Sequence, residues 1–97
     1  ARQPGETAAR ALMLLALARV QTGDFAAARG HLSVLERDHA ASEALPESRF
    51  LLAWIAIQEQ QLGTAAALLR ELVARFPGTP AAAKAVATLD SLQPEGR

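Results

Sequence analysis

The sequence predicts an all-α fold of five helices in a single domain, and three observations support this prediction. Of the 97 residues, 23 are Ala and 15 are Leu, which favour helix, whereas β-branched and aromatic residues are sparse. No segment of useful length alternates apolar and polar residues with the period of two that a half-buried strand requires. Helix start and stop signals divide the chain into five stretches of helical length.

The first two predicted helices meet at a turn formed by Gly23 and Asp24. The Pro-Gly-Glu-Thr segment at residues 4–7 is a helix-entry signal, and the helix then runs without a breaker to residue 22. The Asp24 side chain is suited to cap the second helix, Phe25 to about Asp38. Gly30 inside this helix costs about 1 kcal/mol relative to Ala, so we expect it to permit a close helix contact.

The remaining predicted helices are separated by segments that contain proline or glycine. Residues 39–45 form a loop, and Pro46 is suited to the first turn of the third helix. The Pro-Gly-Thr-Pro segment at residues 77–80 supplies a stop, a cap and a proline at the first helical position. The predicted ranges are 46–61 for the third helix, 62–64 for the following turn, a fourth helix that reaches Phe76, 80–92 for the fifth helix, and a frayed end at 94–97.

The two helix pairs are related by an internal repeat. A shift of 37 residues places the first pair on the second, so that similar residues coincide. A further shift of 34 residues carries Leu52-Ala53 onto Val86-Ala87 in the fifth helix. The chain is therefore predicted to form two helical hairpins and one extra helix. The coincident residues are Leu14 and Leu51, Leu15 and Leu52, Ala16 and Ala53, Val20 and Ile57, Gln21 and Gln58, Phe25 and Leu62, Ala28 and Ala65, Leu32 and Leu69, and Leu35 and Leu72.

These residues resemble the bacterial type of the tetratricopeptide repeat, which is a helical repeat family. The Leu-Gly positions of the family read Leu-Ala here, Arg19 and Ala56 replace the family aromatic, and Ala40 replaces the first exit proline. The resemblance implies a right-handed α-α superhelix in one domain, 1–97, with repeat 1 at about 8–40, repeat 2 at about 46–77 and a capping helix at about 80–92. The matching motifs are Leu12-x2-Leu15-Ala16, Ala28-x3-Leu32, Leu52-Ala53, Ala65-x3-Leu69 and Pro77.

The resemblance also implies which residues fill each hairpin and which line the concave face, since the first helix of each repeat lines that face. A further apolar set recurs on the first helices at i, i+4 and i+7, which makes these helices apolar nearly all round. We call this set the apolar stripe: Met13, Leu17, Val20, Phe50, Trp54 and Ile57. The predicted core residues are Leu12, Leu15, Ala16, Phe25, Ala28, Leu32, Leu35, Leu52, Ala53, Ala56, Leu62, Ala65, Leu69 and Leu72.

Three interpretations of the apolar stripe are open at this point. In the first, the stripe is a groove that receives a peptide or helix of a partner, with Trp54 as its anchor, because Trp is enriched at binding hot spots. In the second, a second copy of the chain fills it in a homodimer. In the third, it packs inside the monomer. An apolar patch of this extent is unusual on the surface of a free monomer.

Composition and motifs argue against other classes of function. The chain has no Cys, which excludes disulfide scaffolds, thiolate zinc sites and thiol catalysis. Ten Lys and Arg balance ten Asp and Glu, which disfavours a nucleic-acid partner. No catalytic or cofactor motif is present, and a metal site would require Asp38, His39 and Glu43 to converge, so we expect no enzyme activity, cofactor or metal. The longest apolar run, residues 11–18, is shorter than the roughly 20 residues of a membrane span.

The sequence therefore predicts a protein–protein interaction module, a scaffold or adaptor with a protein or peptide partner. The alternatives are a homo-oligomerisation domain and a regulatory segment of a larger enzyme or transcription regulator. The chain begins with Ala1 rather than Met, which indicates a processed protein or a fragment of a larger one. Arg outnumbers Lys nine to one, which indicates a GC-rich genome rather than a binding surface, and residues 75–81 resemble linkers of bacterial envelope-assembly repeat proteins. We therefore expect a bacterial protein of the cytoplasm or of the periplasm and cell envelope.

Overall fold

The computed structural model describes residues 4–92, and within them every regular element is an α-helix, which confirms the predicted all-α class. The expected frayed end at 94–97 lies outside the described residues. The bounds of the second and fifth helices agree with the prediction. The helices are α1, Pro4–Gln21; α2, Phe25–Asp38; α3, Leu45–Gln58; α4, Leu62–Arg75; and α5, Pro80–Leu92.

The chain divides into two compact units, which we describe separately. The first unit ends at Ser48 and contains α1, α2 and the start of α3. The second unit begins at Arg49 and contains the rest of α3 together with α4 and α5.

The turn between α1 and α2 forms as the sequence predicts. Gly23 adopts a left-handed φ of 82°, which costs glycine little because it has no Cβ. The Gly23 N–H donates to the Val20 carbonyl at 3.0 Å and the Asp24 N–H donates to the Arg19 carbonyl at 2.9 Å, the two bonds of a Schellman motif. The Asp24 carboxylate accepts from the Ala27 N–H at 3.1 Å, so the predicted cap of α2 is confirmed.

The turn between α3 and α4 repeats this motif 37 residues later with less suitable residues. The Gln60 N–H donates to the Ile57 carbonyl at 3.0 Å and the Gln61 N–H donates to the Ala56 carbonyl at 2.8 Å, while Gln60 has a left-handed φ of 67°. Gln61 makes no side-chain cap for α4. The predictions that the third helix reaches 61 and that a turn follows at 62–64 were therefore wrong. Gln favours helix, so the residue type concealed a turn fixed by backbone hydrogen bonds.

We expect Gln60→Gly to raise the free energy of unfolding by about 1 kcal/mol. Glycine removes the contact of the Cβ with the neighbouring carbonyl that the left-handed conformation imposes on Gln60. Urea denaturation followed by circular dichroism would measure the change. Gly23→Gln is the matched control, because it introduces the same side chain into the equivalent turn and should destabilise by a similar amount. Equal stability of the Gln60→Gly variant and the wild type would contradict this account.

The loop before α5 also agrees with its sequence signal. Gly78 has a left-handed φ of 82°. The Thr79 hydroxyl donates to the Phe76 carbonyl at 2.7 Å and accepts from the Ala82 N–H at 3.1 Å. One hydroxyl therefore satisfies a carbonyl that follows α4 and a backbone N–H of the first turn of α5.

Most of the predicted core residues are buried, but two are not. Leu15 is 45% exposed and Leu62 is 48% exposed, so their placement in the core was wrong. Leu15 lies about 100° around the helix from the fully buried Ala16, and Leu62 is the first residue of α4, where packing ends. Among the other predicted core residues, three are partly buried, namely Leu12, Phe25 and Leu52, and nine are buried: Ala16, Ala28, Leu32, Leu35, Ala53, Ala56, Ala65, Leu69 and Leu72.

Gly30 does not mediate a helix contact. A Cβ placed on Gly30 would meet no heavy atom within 4 Å outside its own helix and its chain neighbours, and the residue is exposed. The prediction of a close approach was therefore wrong, since the sequence shows the cost of a mid-helix glycine but not what surrounds it.

We expect Gly30→Ala to stabilise the protein by about 0.5–1 kcal/mol, because alanine lowers the entropy of the unfolded chain and has room in the folded one. Thermal denaturation should show a higher midpoint. Gly23→Ala, at a glycine with positive φ, is the contrasting variant and should lower the midpoint. A lower midpoint for Gly30→Ala would indicate that a helix does pack against this position.

Candidate protein-interaction surface

In the first unit, the apolar stripe lies on one side of α1. Met13 and Val20 are partly buried and Leu17 is 38% exposed. Ala9 and Ala16, which lie on the same face of this helix at i, i+4 and i+7 spacing with Met13, are fully buried. On this face the small residues are completely covered, whereas the larger apolar side chains of the stripe keep part of their surface accessible.

In the second unit, the apolar stripe lies on α3. Phe50, Trp54 and Ile57 are all partly buried. Ala53 belongs to the core cluster of this unit, together with Leu69 and Leu72 of α4 and Ala81 and Ala85 of α5. Phe50 packs against this cluster, so the stripe borders the core rather than forming its centre.

Lys84 of α5 lies at the Phe50 end of the stripe. Its ammonium nitrogen is 4.8 Å from the centroid of the Phe50 ring, a cation–π contact. The Thr88 hydroxyl donates to the Lys84 carbonyl at 2.8 Å, one turn further along α5. This contact connects α5 to α3 and places a cation beside the aromatic part of the stripe, which the spacing of Lys84 and Phe50 in the sequence does not reveal.

A buried arginine connects α3 to α4. The side chain of Arg49 is only 9% exposed, and its Nη1 lies 3.6 Å from Glu71 Oε1. Glu71 Oε2 lies 3.7 Å from Arg75 Nη1, one turn further along α4. The carboxylate of Glu71 is 47% exposed, so solvent screens this network.

A second set of polar contacts holds the loop before α3 against the start of α1. The Ser42 hydroxyl donates to Glu6 Oε1 at 3.0 Å, and the Glu43 N–H donates to Glu6 Oε2 at 3.2 Å. The Ser42 hydroxyl oxygen also accepts from the Ala44 N–H at 2.9 Å. In the sequence Glu6 is part of a helix-entry signal, and no local pattern links it to a residue 36 positions away.

These contacts form one side of an open cleft of about 350 Å³ in the first unit. Met13 of the apolar stripe lines the cleft, beside Leu14, whose side chain is 66% exposed. The other lining residues are Glu6, Arg10, Glu43, Ala44 and Glu47.

Within residues 4–92, no three His, Asp or Glu side chains lie close enough together to hold a metal ion. Asp38, His39 and Glu43 do not converge into such a group. Across the described helices, none is both long and apolar enough to cross a membrane.

Comparison with known proteins identifies one repeat of this chain. Residues 47–79 match the family model of the tetratricopeptide repeat. This segment comprises nearly all of α3, all of α4 and the turn before α5, and it overlaps the predicted second repeat. The match confirms the resemblance to this family over these residues. No curated protein and no solved structure gave a significant match. The tetratricopeptide repeat is a non-catalytic repeat that mediates protein–protein interaction.

Proposed function

We propose that this chain, in which residues 47–79 match the tetratricopeptide repeat, is a scaffold or adaptor module that binds an apolar peptide or helix of a partner protein through the apolar stripe. Within this proposal, residues 8–40 and 46–77 are the two repeats and residues 80–92 form the capping helix. The proposal gives the chain a binding role and no catalytic one. The contact residues are Met13, Leu17, Val20, Phe50, Trp54 and Ile57.

The accessibility of the stripe carries the proposal. Every one of its six residues keeps accessible surface, while Ala16 and Ala53, which interrupt the stripe along the same two helices, are fully buried. A binding surface of this kind needs large apolar side chains that are held in place but not covered. Trp54 fits the role of anchor, because a half-buried indole offers a large rigid contact area at low entropic cost.

A second candidate function, self-association, is supported by the exposed leucines of α1. Leu14 is 66% exposed and Leu17 is 38% exposed, and they lie on adjacent turns. Adjacent exposed leucines favour burial against another apolar surface, which a second copy of the chain would supply. The two candidates differ in what occupies the surface when no partner is present.

Light scattering at several protein concentrations separates the two candidates. A monomer at all concentrations, combined with saturable binding of an apolar helical peptide, supports the adaptor function. A dimer that resists dilution and that the peptide does not dissociate supports self-association instead. Trp54 is the only Trp in the chain, so its fluorescence reports peptide binding directly when the peptide lacks Trp. A monomer whose Trp54 emission no peptide changes would overturn both candidates.

A further inference from the structure

We infer that copies of this chain associate head to tail, with the exposed side of α5 in one copy packed against the exposed side of α1 in the next. This inference deepens the second candidate function, self-association, and rests on it. The two exposed sides share no residue with the apolar stripe. Each has the helical spacing i, i+3, i+4 and i+7: Ala11, Leu14, Leu15 and Ala18 on α1, and Ala83, Val86, Ala87 and Asp90 on α5.

The helix α3 shows how a helix of this type packs when the fold covers it. Every residue from Leu45 to Ile57 is buried or partly buried, so α3 has no exposed side over this length. The sequence repeat makes α1 and α5 the counterparts of α3, through shifts of 37 and 34 residues. Each of these two helices nevertheless keeps one side exposed, and we expect that side to be covered by another helix as α3 is.

On α1, the exposed side corresponds to positions that are buried elsewhere in the chain. Leu14 is 66% exposed, whereas its counterparts Leu51 in α3 and Ala85 in α5 are 7% and 0% exposed. Ala85 belongs to a core cluster with Leu72 of α4. A neighbouring helix therefore covers this position in α5, and the large apolar side chain at the same position of α1 has no such cover.

On α5, the relation is reversed. Ala87 is exposed, whereas its counterparts Ala16 in α1 and Ala53 in α3 are fully buried. Val86, the neighbour of Ala87, is 48% exposed. Each copy of the chain therefore carries two different apolar helix sides that lack a covering helix, and each can cover the other.

The two exposed sides are complementary in size. Leu14 and Leu15 project from α1, while Ala83 and Ala87 leave a shallow groove one turn long on α5. Large side chains on one helix pack well into the groove that small side chains leave on another. Two leucine sides packed against each other would lack such a groove.

The charges beside the two exposed sides are complementary as well. Asp90 lies one turn after Val86 on α5, while α1 carries Arg10 one turn before its two exposed leucines and Arg19 one turn after them. With the leucines against Val86, Asp90 meets Arg10 in an antiparallel pair of helices and Arg19 in a parallel pair. A symmetric antiparallel pair of α1 helices centred on the leucines would instead place Arg10 beside Arg19, and like charges disfavour that arrangement. The contact is therefore head to tail rather than twofold between like surfaces.

Two variants that each block one side test the inference. Leu14→Glu places a charge on the exposed side of α1, and Val86→Glu places one on the exposed side of α5, so each contact would bury an unpaired carboxylate. Light scattering from about 10 µM to about 1 mM should show a wild-type mass that rises with concentration, because one pair of helices forms a small and weak interface. Each variant alone should associate about tenfold more weakly or less.

An equimolar mixture of the two variants gives the decisive result. The Leu14→Glu chain keeps an intact α5 side and the Val86→Glu chain keeps an intact α1 side, so the mixture should form a dimer with one copy of each and no larger species. Leu62→Glu is the matched control, because Leu62 is also 48% exposed but lies on neither side, and it should associate like the wild type. Circular dichroism confirms that each variant is folded.

A charge variant keeps the inference testable if either glutamate variant fails to fold. Asp90→Arg changes only an exposed side chain and should weaken association about threefold. Combining it with Arg10→Asp should restore association if the helices are antiparallel, and combining it with Arg19→Asp should do so if they are parallel. Failure of both combinations would contradict the proposed contact.

The outcomes also separate this inference from the proposed functions. If the wild type associates but the mixture of variants stays monomeric, or if either variant alone associates as the wild type does, the inference fails and self-association uses another surface. If the wild type is a monomer at every concentration, the inference and the self-association candidate both fail. The adaptor function is decided separately by the change in Trp54 emission on peptide binding.

Discussion

Ala53→Leu should lower the free energy of unfolding by about 2–3 kcal/mol. Ala53 is fully buried on α3, where it packs with Leu69 and Leu72 of α4 and with Ala81 and Ala85 of α5. The additional carbon atoms of leucine have no space in this cluster and would force shifts of the surrounding side chains and helices. Urea denaturation followed by far-UV circular dichroism would measure the loss as a lower midpoint.

Ala67→Leu is the control for this variant. Ala67 lies on α4 in the same unit but is exposed, so the same substitution should change the free energy of unfolding by less than about 0.5 kcal/mol. If Ala53→Leu were as stable as the wild type, Ala53 would not be a position of close helix approach. The repeat register that aligns it with Ala16 would then be incorrect.

The buried side of each hairpin could be predicted from the sequence. The shift of 37 residues pairs Ala28 with Ala65 and Leu32 with Leu69, and all four residues are fully buried. Small residues and leucines recur at these positions because the two helices of each hairpin pack against each other in the same way. The periodicity of the sequence is therefore enough to predict the buried side of each hairpin, and no other helix has to be considered.

The exposed side of α1 could not be predicted in the same way. The repeat treats Leu14 and Leu51 as equivalent, yet Leu14 is 66% exposed and Leu51 is only 7% exposed. A repeat in the sequence reports which residues face the partner helix of their own hairpin. Exposure depends in addition on everything else that surrounds a helix, which differs from one helix to the next.

The polar contacts around the candidate site could not be predicted from the sequence either. Glu6 reaches Ser42 across 36 positions, and Arg49 reaches Glu71 from another helix. Such contacts depend on the course of a loop and on the rotamers of long side chains, neither of which has a periodic signature. For this reason the stripe was predicted from its spacing, whereas the acidic cleft beside Met13 was not.

Trp54→Ala should weaken binding of an apolar helical peptide by about 30-fold, which corresponds to about 2 kcal/mol, the loss typical of a hot-spot residue. The reason is the position of the side chain, which is held on α3 next to the fully buried Ala53 but is itself only partly buried. Fluorescence anisotropy with labelled peptide measures the affinity, and urea denaturation measures stability in parallel. The free energy of unfolding should fall by less than about 2 kcal/mol, because the indole is only partly covered in the free protein.

Comparing the loss of peptide affinity with the loss of stability shows whether Trp54 is a binding residue or a core residue. A core role would give a stability loss of about 3–5 kcal/mol for this truncation, with affinity unchanged in the fraction that stays folded. Leu62→Ala is the matched control, because Leu62 lies in the same unit, is 48% exposed and is not part of the stripe. It removes apolar surface without touching the proposed anchor, so it should leave the affinity for the peptide unchanged. If Leu62→Ala weakens binding as much as Trp54→Ala does, the peptide recognises apolar surface in general, and the stripe does not define a specific site.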